Sequence, residues 1–172
     1  MIKKVIKLLL VFLCFILQGT LFKAMSLGGV TPNLLLMLTS FSGFVGGKKE
    51  GMYTGFFAGL FTDVLYGNGL IGFYILLYVW TGYVNGMFNR LFYPEDVKLP
   101  LILTTASNAL NGFLTYVFLF LLRSRLDIGY YFLRVILPET VYTLVVTIML
   151  FRPLLMIEQA LQENTERKGF NV

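Results

Sequence analysis

Three ionisable residues interrupt long apolar runs: Asp63, Arg134 and Glu139. Two carboxyl groups are the minimum for general acid–base chemistry. A carboxylate facing an arginine is equally the minimum for an embedded ion pair. A charge held at the centre of a bilayer costs roughly 2.5–3.5 kcal/mol on insertion scales, so such groups pair or face a cavity. Shared depth and opposite charge predict an interior polar cluster in which Arg134 pairs with Asp63 or Glu139, with Asn108 and Asn111 contributing amides. Nothing else in the sequence supports catalysis. It has no histidine, no nucleophile elbow and no zinc-binding motif. The segment Gly43-Phe44-Val45-Gly46-Gly47-Lys48-Lys49 lacks the spacing of a phosphate loop and the Ser or Thr that follows its lysine, and reads as a helix-ending turn. The expected catalytic residues, metal ligands and cofactors are therefore none, and the chain is expected not to be an enzyme. Cys14 is the single cysteine, so no intramolecular disulfide can form.

The small residues carry more information. Gly51, Gly55 and Gly59 recur every fourth position, and Asp63 and Gly67 continue the series. On a helix these positions share one face, so a glycine groove leads to a carboxylate. In lipid, helices associate through close approach at small residues and through interhelical hydrogen bonds. The groove either packs on a neighbouring helix or, with Asp63 at its end, receives a partner. Polar stripes occur at the same spacing: Tyr74, Tyr78, Thr81 and Asn85; then Thr104, Asn108, Asn111 and Thr115, with Gly112 beside them; then Glu139, Thr143 and Thr147. Each stripe either joins helices in the bundle interior or lines a cavity.

These residues need elements to hold them, and composition says which kind. The chain is 57% hydrophobic and 13% charged, against about 45–50% and about 25% in soluble domains. A chain this short cannot bury so much apolar surface in its own core. The bilayer must be part of its solvent. Six apolar runs, near 5–22, 33–46, 51–66, 70–91, 99–122 and 130–151, predict an all-α six-transmembrane-helix bundle. The runs are continuous rather than alternating, which excludes a transmembrane barrel. Runs two and three are short, leaving a re-entrant hairpin as the alternative. Lys48, Lys49 and Glu50 read as a tight turn between them, and Pro138 as a kink in the sixth. With both termini cytoplasmic, ten cations fall inside and four outside, as the positive-inside rule requires. The net charge of +5 thus belongs to topology, not to nucleic acid. Lys3, Lys4 and Lys7 before an apolar run resemble a signal peptide, but the embedded character of the downstream segments favours a retained first helix. Residues 1–172 form one transmembrane domain, with 151–172 a short charged cytoplasmic tail, expected as a short amphipathic or frayed helix from Arg152.

One stretch brings a family with it. Pro32-Asn33-Leu34-Leu35-Leu36 opens a helix; Gly51, Gly55 and Gly59-Leu60-Phe61-Thr62-Asp63 come next, then Gly67, Gly69 and Gly72. This resembles the pattern of the rod shape-determining protein MreD family. The resemblance implies a multi-pass subunit of the bacterial cytoplasmic membrane, a non-enzymatic scaffold of the peptidoglycan-elongation complex. It implies an MreC-like membrane partner, bound through the glycine-rich groove and a polar outer cavity, and association with RodA, a class B penicillin-binding protein and MreB through the complex. Pro32, Gly55, Gly59 and Asp63 would be its pattern residues. The family is also similar in fold to the substrate-binding subunits of energy-coupling-factor vitamin transporters, which leaves such a subunit, a small-molecule binder, as the alternative function. Those subunits carry an Ala-x-x-x-Ala docking motif in their first helix, whereas residues 5–22 here contain no alanine.

Overall fold

The most apolar helix is the one surrounded on every side by protein. In the computed structural model, which describes residues 2–26, 29–66, 72–91, 97–119 and 128–169, α3 (Leu34–Gly46) has every residue from Leu34 to Val45 buried. A helix hydrophobic all round has no polar face to offer water, so it takes the centre. Its start is set by Asn33, whose side chain accepts a 3.0 Å hydrogen bond from the Leu36 N–H. Its end is set by Gly47, at φ +85°, a left-handed conformation that favours glycine.

Among the described residues, six helices of 13 to 33 residues make the bundle. Besides α3 these are α1 (Ile2–Gly19), α4 (Lys48–Tyr66), α5 (Phe73–Met87), α6 (Lys98–Leu119) and α8 (Leu137–Gly169). Short helices α2 (Leu21–Ala24) and α7 (Ile128–Tyr131) and a 3₁₀ turn (Phe88–Leu91) complete the described chain with a π-helical segment (Phe132–Ile136). No strand occurs among the described residues. Helix α3 touches α1, α4, α5, α6 and α8. Among the described residues, two segments are long and apolar enough to cross a membrane, Lys3–Ala24 and Gly129–Leu161.

Three boundaries differ from the sequence reading. Lys48, Lys49 and Glu50 are the first turn of α4, not a polar loop, because Gly47 alone reverses the chain. The π-helical segment precedes Pro138, and the Leu137 N–H bonds back to the Phe132 carbonyl. Proline brings no N–H to the helix, and a widened turn beside it absorbs the mismatch. Finally, the stretch expected as a charged tail continues α8 through Pro153. Phe151, Leu154, Glu158 and Leu161 are buried, at spacings of three and four that put them on one face. The loop residues Gly67, Asn68, Gly69, Pro94, Glu95, Asp96, Arg123, Arg125 and Asp127 lie outside the described residues.

Candidate functional site: a glycine seam, a polar cavity and an ionic cluster

The glycine groove is filled by the chain itself. Helices α4 and α5 run antiparallel with their backbones in contact. A Cβ on Gly55 would lie 2.7 Å from the Tyr78 carbonyl carbon, and one on Gly59 would lie 2.7 Å from the Ile75 nitrogen. Gly51 meets both Gly82 and Gly43, so three helices converge where only glycine fits. The expectation that this groove receives a partner is therefore corrected: α5 occupies it. Asp63 closes the same seam. It is 2% exposed, and its carboxylate accepts from the backbone N–H groups of Gly72, Tyr74 and Ile75 at 3.0, 3.1 and 3.0 Å. A helix start leaves amides without intrahelical partners and carries partial positive charge, which a carboxylate satisfies on both counts.

Arg134 pairs with neither acid. Its side chain is exposed, and the guanidinium stacks on the Tyr130 ring at 5.7 Å from the centroid. Equal depth was a necessary condition for pairing with Asp63, and the α5 amides had already taken that carboxylate. Glu139 instead lies in the wall of a cavity of about 540 Å³. Helix α1, the segment leading into α3, and helices α4, α5, α6 and α8 all contribute to it. Asn33 lines the same wall as Glu139, and the Tyr78 hydroxyl donates to Asn33 Oδ1 at 3.1 Å. Asn111, from the α6 stripe, is part of the same wall. Other stripe residues join helices. Asn108 donates to Thr140 at 3.3 Å, Asn85 to Ser107 at 2.8 Å, and the Asn33 N–H to Thr143 at 3.0 Å.

The ionic cluster of the molecule lies elsewhere, toward the opposite end of α1. Lys7 is 5% exposed. Its ammonium donates to Ser42 at 2.7 Å and pairs with Glu50 at 2.5 Å and Glu158 at 2.9 Å. Lys3 also pairs with Glu50, Ser42 donates to Glu158 at 3.0 Å, and Thr54 donates to Ser42 at 3.1 Å. Two cations and two carboxylates thus tie α1, α3, α4 and α8 together. Sequence reading missed this, treating Lys7 as a topology marker and Glu158 as tail. A signal existed: Glu158 occupies a core position in the series Phe151, Leu154, Glu158, Leu161.

Comparison with family profiles decides what kind of chain builds this arrangement. The profile of the rod shape-determining protein MreD matches residues 1–160. The chain belongs to the MreD family. The match reaches from α1 into the buried part of α8, so it covers the seam, the cavity and the ionic cluster together. Comparisons with curated proteins and with solved structures gave no match. In this MreD-family chain the four pattern residues serve the fold: Gly55 and Gly59 admit α5, Asp63 anchors its start, and buried Pro32 precedes the cap of α3. Gly67 lies outside the described residues. Membership carries a role in rod shape determination.

Proposed function

We propose that the chain is a non-enzymatic, six-span scaffold subunit of the wall-elongation complex in the bacterial cytoplasmic membrane, with both termini inside, holding an MreC-like partner at its outer end. The observation that carries this reading is the family match over residues 1–160. Through that partner it would meet RodA, a class B penicillin-binding protein and MreB. The filled glycine seam favours a rigid platform over a flexible receiver. Partner contact then falls to what stays outward-facing on the turn beside the cavity. Tyr130 and Leu133 are each 66% exposed, and Arg134 stacks on Tyr130. Aromatic residues and arginine are the types that anchor interfaces.

The test is co-purification of the full chain with an MreC-like protein in mild detergent. Arg134→Ala should lower recovery of the partner about tenfold, as loss of an interface anchor does, while the lipid-facing Val145→Ala should not. Equal recovery from both variants would remove the docking edge from the proposal.

A further inference from the structure

Four carboxylates have described side chains, and three face a cation or backbone amides. Glu50 and Glu158 face lysines, and Asp63 holds three backbone amides. Glu139 is the exception. Among the described residues it forms no ion pair. It stands between the 540 Å³ cavity and an adjoining pocket of about 250 Å³ that shares its wall. Tyr74, Tyr78 and Tyr131 surround it in the larger cavity, whose volume lies within the range of about 300–1,000 Å³ that holds small ligands.

The unmet groups are acceptors. Asn111 is 5% exposed. Its Nδ2 donates to Thr81 Oγ1 at 2.8 Å and to the Ser107 carbonyl at 2.9 Å. That carbonyl can only accept, which fixes the amide's orientation and leaves Oδ1 buried without a donor among the described residues. A carboxylate lacking a counter-ion, among aromatic rings in the wall of a cavity, is an environment for an organic ammonium. A metal ion fits poorly: calcium takes about 6–8 oxygen ligands, commonly with several carboxylates, and the described residues hold no group of three or more acidic, His or Cys ligands. Lys23, on α2, lines the same cavity. It is exposed and forms no ion pair among the described residues, and so is available to an anion.

We propose that this cavity binds a zwitterionic amine of the ammonium–phosphate class, with the ammonium on Glu139 among the tyrosines and the phosphate toward Lys23. Two sources share that chemistry: a phosphatidylethanolamine headgroup and a soluble phosphoethanolamine-like solute. The site needs no partner protein, so failure of partner docking would leave it standing.

The experiment uses the full chain, purified alone. One arm titrates O-phosphoethanolamine by calorimetry in detergent. The other measures lipid retention by native mass spectrometry from nanodiscs containing equal phosphatidylethanolamine and phosphatidylglycerol. Saturable binding in the first arm alone identifies a free solute, and selective retention of phosphatidylethanolamine identifies the lipid; either supports the site. Glu139→Gln should weaken the positive arm at least tenfold. Lys23→Ala, at an exposed position that leaves the bundle intact, should weaken it several-fold. No saturable binding of the solute together with equal retention of the two lipids, or binding unchanged in Glu139→Gln, would overturn the proposal. So would occupancy that appears only when a partner protein is added.

Discussion

Replacing Lys7 with Met removes one cation from a site that holds two carboxylates while leaving the length of the side chain nearly unchanged. The two acids respond differently. Glu50 is about a quarter exposed and keeps Lys3. Glu158 keeps only the Ser42 hydroxyl. It is 5% exposed, and its second oxygen lacks a hydrogen-bond partner among the described residues even with Lys7 in place. The cost therefore falls on Glu158, as an uncompensated buried charge. Breaking a buried pair from one side costs about 3–5 kcal/mol. At about 2–4 °C per kcal/mol for a chain of this size, the melting midpoint should fall by roughly 6–20 °C. The assay is a thermal ramp of the purified chain in mild detergent, read as loss of the monodisperse peak by size exclusion. Lys4→Met is the control: it removes the same charge from an exposed side chain that only overlies the Tyr53 ring at 5.8 Å. Adding Glu158→Gln to Lys7→Met should recover at least half of the loss, because the stranded charge is then gone. A Lys7→Met midpoint no lower than that of Lys4→Met, or a double variant no better than the single, would refute the view that this cluster fastens α1 and α8 to the core.

Two further variants test the α4–α5 seam, alongside the partner-recovery and ligand experiments above. Asp63→Ala strands three amides at the start of α5 and should cost roughly 1–3 kcal/mol. Asp63→Asn, which keeps an acceptor, should lose less in the same thermal ramp; equal losses would mean that the charge and its hydrogen bonds do not hold α5. Gly59→Leu sets a side chain against the Ile75 backbone, which cannot yield as a flexible side chain would. It should abolish the monodisperse peak, and a well-folded variant would contradict the close contact of the two helices.

Local pattern and the nature of the solvent made part of the fold legible in the sequence. The limits of α3 lie within a residue of those expected, because an asparagine cap and a glycine bracket an unbroken apolar run. The Gly51, Gly55, Gly59 series identified a close-packing face from spacing alone, and Asp63 belonged to that face. The family pattern used those same residues, and the profile match over 1–160 bears the recognition out.

Periodicity assigns a residue to a face but cannot say what the face meets. The seam faces α5 because Gly82 recurs opposite Gly51 across the hairpin. Asp63 lost Arg134 to a competitor invisible in one dimension, the amides of a helix start. Lys7 and Glu158 stand 151 positions apart, and composition gives no register between segments so distant; only folding brings them within 2.9 Å. The cavity, too, is a property of the assembled helices, since its wall draws a few residues from each of several segments. Sequence alone determined that these side chains must avoid hydrocarbon, because burying an unpaired polar group in it is costly. Tertiary structure alone decided which partner each would find, because that depends on distances between helices that no single helix encodes.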